Sequence, residues 1–199
     1  MRGRLVAYGH SWVAGDGATR PERRLVDVAA LRMGLTPVNL GIGGSSSGQT
    51  ADLVRREGAA PADAYLIVTG LNDARLHGGD PAALEAYAGA LDVVVGGCAA
   101  TSPESVTLVV RQPPLDDYSR HAPHDRGSTA AVEAHNHRLE EVAARHPRAV
   151  VVQVTGWDAA SMLADDTVHP NDLGHATIGR AVADAHHSAS IGRTSPVHD

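Results

Sequence analysis

The chain has no phenylalanine, an aromatic fraction of 3% and a single cysteine, and all of its 17 basic residues other than histidine are arginine, so lysine is absent too. Each absence removes something. Without lysine there is no GxxxxGK[ST] phosphate loop. Cys98 has no second cysteine for an internal disulfide and fits a reducing compartment or a plain buried position. With so few aromatic rings, Val, Leu, Ile and Ala must fill the core. A basic excess is missing as well: the formal charge is -6, which argues against nucleic acid or an anionic membrane surface as partner. No apolar stretch precedes a cleavage site near Met1–Arg4, and no apolar run of membrane-spanning length is expected. The expectation is a cytoplasmic protein acting on a small molecule.

What is present is a regular alternation of strand and helix patterns. Hydrophobic residues make up 43% of 199 residues, enough for one domain with a full core. Short apolar runs predict strands at Leu5–Tyr8, Thr36–Leu40, Ala64–Val68, Val106–Val110 and Ala149–Val154. Helical patterns lie between them: one opened by Pro21 and closed by Gly34, one over Gln49–Gly58, and a long one started by Asp80-Pro81. Two more cover Ser128–His146 and Leu173–Ala185, with His186 and His187 closing the last. Loops are expected at Gly41–Gly48, Thr69–Gly79, Arg111–Gly127 and Thr155–Pro170, the last with one helical turn near Ala159–Leu163. Such alternation predicts an α/β fold, a five-stranded parallel sheet covered by helices on both faces. One domain is expected over 1–187, followed by a loose tail over 188–199.

In a parallel sheet the loops after the strands emerge at one edge, where such folds bind ligands. Ser11 follows the first strand, Gly43-Gly44 the second, Asn72 the third and His169 the fifth. A serine, a histidine and an acid gathered there can form a nucleophile system. Asp166 stands three residues before His169, a spacing that favours it over its neighbour Asp165 as the acid that orients the ring. Charge developing on a carbonyl oxygen needs donors. The Ser11 N–H, the Asn72 amide and an N–H of Gly43 or Gly44 are the candidates. Ser45, Ser46 and Ser47 read as loop formers and helix caps, and Asp73 as a structural bond to the loop. His10, Arg75, Arg111 and Tyr118 are candidates for a substrate rim, and Arg111–Asp125, with its three prolines and two histidines, for a lid. His121, His124, His135 and His137 reproduce no compact zinc spacing, so neither metal nor cofactor is expected.

The chain order Ser, Asp, His and the lack of a GxSxG elbow around Ser11 separate this pattern from the common nucleophile-elbow hydrolases. Four blocks resemble the SGNH hydrolases, the GDSL esterase/lipase superfamily. They are Gly9-His10-Ser11, Asn39-Leu40-Gly41-Ile42-Gly43-Gly44, Gly70-Leu71-Asn72-Asp73 and Asp166-Thr167-Val168-His169. The resemblance implies a three-layer α/β/α, flavodoxin-like sandwich. It also implies Ser11 as nucleophile, His169 as base, Asp166 as its orienting acid, and Ser11, Gly44 and Asn72 as oxyanion donors. The implied activity is hydrolysis of a small-molecule ester through an acyl-enzyme without a cofactor, with short acyl groups on a polar alcohol, carbohydrate or natural product favoured by the small chain. The alternatives are an acyltransferase using the same site and an inactive binding protein on the same scaffold. His10 departs from the family, whose first block carries Asp at that place.

Overall fold

A computed structural model describes residues 2–191. The strands are β1 (Arg4–Gly9), β2 (Thr36–Gly41), β3 (Ala64–Val68), β4 (Val106–Val110) and β5 (Ala149–Val152). They form one sheet in the order β2-β1-β3-β4-β5, with every pairing parallel. This is the flavodoxin-like order, in which the chain reverses its direction of growth between β1 and β3. The helices are α1 (Ser11–Ala14), α2 (Leu25–Met33), α3 (Ser47–Glu57), α4 (Leu71–His77), α5 (Pro81–Thr101), α6 (Thr129–Ala143), α7 (Ala159–Met162) and α8 (Asp172–Ile191).

Strand alternation sends Leu5 and Ala7 to one face of the sheet and Val6 and Tyr8 to the other, and all four are buried. The first face packs on α2 and α8 through Leu25, Val26, Ile178 and Val182. The second packs on α3, α5 and α6 through Val54, Leu91, Val94 and Leu139. Both faces are therefore apolar, and the three layers follow. Tyr8 and Tyr65 serve the aliphatic core as bridges: their rings are buried, Tyr8 Oη accepts from the Ala60 N–H at 2.8 Å, and Tyr65 Oη donates to Ala60 O at 2.8 Å.

Several element boundaries differ from the sequence reading. The Pro21 segment is a single 3-10 turn, and the chain is extended at Arg24 before α2 begins. The Thr69–Gly79 segment is not a loop. Gly70, in the left-handed region at φ +112°, turns the chain into α4, whose Leu71 and Ala74 are buried, so the flanking glycines concealed a short helix. Contrary to expectation, α5 is long and apolar enough by length and composition to cross a membrane. Its Tyr87, Leu91, Val94, Val95 and Cys98 instead lie buried against the sheet, and Glu85 and Asp92 interrupt the apolar run on its other side. Helix α6 starts after its Ser128 cap, which accepts from the Ala131 N–H at 3.0 Å, and ends at Ala143. Helix α8 runs through Ile191, so His186 and His187 lie within it rather than closing it, and the first residues of the expected loose tail are helical. The remainder of that tail, 192–199, lies outside the described residues.

Candidate active site

The ends of β1, β2, β3 and the segment after β5 converge on one cleft of about 270 Å³, lined among others by Ser11, Gly44, Asn72, Asp166 and His169. Ser11 arrives there because β1 passes directly into α1. Gly9 permits the turn: a Cβ at this position would stand 1.9 Å from Val68 O, so only glycine lets β1 lie so close to β3 while the His10 N–H donates to that same carbonyl at 3.2 Å. Ser11 then occupies the first position of α1, where a backbone N–H has no partner within the helix. The residue is 5% exposed, which leaves its hydroxyl to the cleft rather than to bulk water.

Gly44 follows β2 in the left-handed region at φ +72°, a conformation that side chains disfavour, and no atom would obstruct a Cβ there. The constraint at Gly44 is thus conformational. Gly44, and not Gly43, lines the cleft. Asn72 is 5% exposed and spends one amide hydrogen on Ser45 O at 3.0 Å, which fixes the plane of the amide. The loop carrying Gly44 is tied down by Asp73, which accepts from Ser47 N–H at 3.0 Å and Ser47 Oγ–H at 2.6 Å. Ser46 and Gln49 form a reciprocal cap at the start of α3. Asp73 thus makes the expected bond to the loop and Ser46 the expected cap, while Ser47 is the first residue of α3.

The Asp166–His169 pair is built by a local turn. Thr167 sits at φ +64°, an uncommon conformation for a β-branched residue, and this folds the Asp166 carboxylate back over the chain. Its Oδ1 accepts the N–H groups of Val168 and His169, both at 2.9 Å, and its Oδ2 accepts from His169 Nδ1–H at 2.6 Å. Burial alone would raise the Asp166 pKa. The His169 N–H, the ring bond and the Val168 N–H outweigh it and hold the carboxyl below its ordinary value. Asp166 is therefore anionic, and its bond fixes the His169 tautomer with Nδ1 protonated and Nε2 free to accept a proton. Nε2 faces Asp16 Oδ2 at 3.9 Å. Among the described residues no hydrogen bond joins Ser11 Oγ to His169; the two side chains share the cleft, and such contacts commonly tighten only when substrate is bound.

Of the four rim candidates, the structure places only Arg75 in the cleft. His10 is fully buried behind Ser11: its Nδ1 accepts the Trp12 N–H at 3.3 Å, and its Nε2–H donates to Gln112 Oε1 at 3.0 Å. Arg111 points to α6, where its guanidinium pairs with Glu133 and Glu140, because acceptors stand there and not at the cleft. Tyr118 is turned inward, its hydroxyl accepting the Leu115 N–H at 2.9 Å and its ring packed against the core. Asp16, His121 and His124 line the cleft although the sequence reading gave them no role there. The two histidines belong to the segment expected to act as a lid, which was their only signal, while Asp16 lies between two loop glycines and carried none. His121 Nε2–H donates to Asp166 O at 3.0 Å, which anchors that segment at the site. A larger cleft of about 650 Å³ along β2 and α3 contains neither a serine nor a histidine, so its size does not make it the reactive site. Among the described residues, no group of three or more His, Cys, Asp or Glu is arranged to hold a metal ion.

Residues 7–177 match the family model for the GDSL-like lipase/acylhydrolase family. The chain belongs to that family. It is a serine hydrolase of the SGNH superfamily, and the matched segment runs from β1 to the first turns of α8, so it contains every residue of the cleft. A comparison with curated protein sequences finds no significant match. Among solved structures, a lipase/acylhydrolase from Enterococcus faecalis superposes with a TM-score of 0.73 at 19% identity, covering 100% of both chains. A carbohydrate esterase family 2 enzyme with a carbohydrate-binding domain, from Corynascus thermopiles (Myceliophthora fergusii), gives a TM-score of 0.69 at 21% identity over 94% of this chain and 66% of that one. At these identities the superpositions speak to the fold. Within this GDSL-like member the first block reads Gly9-His10-Ser11, and the structure gives His10 a neutral role. Burial pulls its pKa down to about 4, against the opposing hydrogen bond that the ring donates to Gln112, so no positive charge stands behind Ser11 at neutral pH.

Proposed function

We propose that this GDSL-like hydrolase removes a short acyl group from a polar alcohol through an acyl-enzyme on Ser11. In this mechanism Ser11 Oγ attacks the ester carbonyl carbon while its proton passes to His169 Nε2. The negative charge that forms on the carbonyl oxygen is met by the N–H groups of Ser11 and Gly44 and the free amide hydrogen of Asn72. Asp166, ionised and bonded to Nδ1, stabilises the imidazolium. The carbon–oxygen bond to the alcohol then breaks, and the leaving oxygen takes the proton from Nε2. Water attacks the acyl-serine, gives its proton to Nε2, and the Ser11 oxygen leaves with that proton, releasing the carboxylic acid.

The observation that carries this reading is the 2.6 Å bond between Asp166 and His169 beside a buried serine in one cleft. Short acyl groups are supported by the cleft volume of about 270 Å³, below the range of roughly 300–1,000 Å³ common for drug-sized ligands. A polar or sugar alcohol is supported by the polar lining and by the carbohydrate esterase among the similar folds. The test is hydrolysis of 4-nitrophenyl acetate, butyrate and octanoate by the wild type and Ser11→Ala, with intact mass after treatment with an organophosphonate. Ser11-dependent turnover that declines with chain length, and one adduct on Ser11, are expected. Absence of both turnover and adduct would overturn the reading.

A further inference from the structure

Arg75 lies on α4 three residues after Asn72, so the two side chains emerge on neighbouring positions of one helical face. It is 5% exposed, yet among the described residues its guanidinium makes no hydrogen bond and no ion pair, and its Nε is buried without a partner. Arg75 is among the residues that line the cleft. A buried arginine without a directly bonded counter-charge is expensive, and burial lowers its pKa from the ordinary arginine value against the opposing field of the Asp166 carboxylate. Neither carboxylate that lines the cleft is bonded to the guanidinium. Asp166 has Oδ1 on two backbone N–H groups and Oδ2 on the His169 ring, and Asp16 faces His169 Nε2. The Tyr118 hydroxyl is held by Leu115. Gly127 lies close along the arginine stem, where an added Cβ would come within 3.2 Å of Cγ.

We propose that the Arg75 guanidinium is a carboxylate-binding subsite, and that the ester hydrolysed at Ser11 carries a carboxylate on its acyl or its alcohol part. This rests on the esterase reading above. A planar fork beside an oxyanion donor matches a carboxylate in two-point contact. Substrate would supply the directly bonded carboxylate that the folded chain does not, and neutral esters would leave the fork unpaired.

Two pairs of isosteric substrates test it and separate the two sides of the ester. Ethyl hydrogen succinate against ethyl succinamate places the charge on the acyl part. 4-Acetoxybenzoate against 4-acetoxybenzamide places it on the alcohol part. In one pair the wild type should favour the carboxylate by about tenfold or more in kcat/KM, expressed mainly in KM. Arg75→Gln should bring that ratio to near one, and Arg75→Lys should keep part of it. The ratio is taken within each enzyme, so a general loss of activity cancels. A wild-type ratio of one or less in both pairs overturns the subsite, as does a ratio unchanged in Arg75→Gln. Ser11-dependent hydrolysis without charge preference sinks the subsite and leaves the esterase standing. If no ester turns over, calorimetry of 4-acetamidobenzoate with Ser11→Ala and with Ser11→Ala/Arg75→Gln still decides: binding that needs Arg75 supports the subsite, and binding that is absent or indifferent to Arg75 overturns it.

Discussion

His10 and Gln112 are 102 residues apart in sequence and meet through a 3.0 Å hydrogen bond in the core, directly behind Ser11. The direction of that bond is set by its neighbours. Gln112 Nε2 donates to Val110 O at 3.1 Å, so Gln112 presents Oε1, an acceptor, to the His10 ring. Asn136 holds the Gln112 backbone on both sides, accepting its N–H at 2.7 Å and donating to its carbonyl at 3.0 Å. The ring therefore carries its proton on Nε2, and Nδ1 is left as the acceptor that caps α1 through the Trp12 N–H. A histidine can do here what a short acidic or amide cap does elsewhere, provided it stays neutral.

Gln112→Leu should break this arrangement at a defined cost. The His10 Nε2–H would be buried without an acceptor, which destabilises by roughly 1–3 kcal/mol. Urea denaturation at pH 7 of wild type and variant measures it. A change within experimental error would show that the bond does not hold the nucleophile turn.

The same ring predicts a pH dependence of stability. Its folded pKa, about 4, lies below the unfolded value of 6.5, so between these values the unfolded chain binds more protons and stability falls as pH is lowered. At pH 4.5 the expected loss from His10 relative to neutral pH is roughly 2–3 kcal/mol. His135 and His175, also buried with lowered pKa values, add losses of the same sign. His10→Asn keeps a capping oxygen and removes the titration. Its stability should decline less than that of the wild type from pH 7 to pH 4.5, in parallel denaturation curves. Equal declines would place the neutral-ring account in error.

Asp166→Asn should lower kcat by about 10⁴-fold with little change in KM, because an amide facing Nδ1 no longer fixes the tautomer or stabilises the imidazolium. Steady-state kinetics on 4-nitrophenyl acetate are sufficient. A loss under tenfold would remove Asp166 from the proposed triad and turn attention to Asp16, the other carboxylate facing the ring.

Asn72→Ala should cost about 10²–10³ in kcat through the lost oxyanion donor. Asn72 also holds Ser45 O, so the Gly44 loop loses one tether in the variant. Asp73→Asn weakens the other tether, to Ser47, without removing a donor from the cleft. The expected contrast is a fall in kcat for Asn72→Ala against a mainly structural effect, read as lowered thermal stability, for Asp73→Asn. Equal kcat losses would assign Asn72 to holding the loop.

The fold was largely legible in the sequence because its strongest signals are local. Five short apolar runs separated by helical patterns permit few arrangements once strands must be parallel and covered on both faces. The four blocks placed Ser11, Gly44, Asn72, Asp166 and His169 at one sheet edge for the same reason: each stands immediately after a strand, or in the turn before the last helix. The Asp166–His169 bond was readable because it is made across three residues of chain.

What the sequence could not supply were relationships between segments far apart in the chain. His10, Arg111 and Tyr118 are close in sequence to cleft-forming elements, and polarity suggested a rim. Their side chains turn to Gln112, to Glu133 and Glu140, and to Leu115, because a polar group follows the nearest acceptor or donor in space. Asp16, His121 and His124 reach the cleft by the converse route. The sequence by itself determined the layers, the strand-end edge and the candidate serine, histidine and acid placed along it. Only the tertiary structure decided which way each polar side chain faces, and left Arg75 buried without a partner, since burial and pairing are properties of the packed chain.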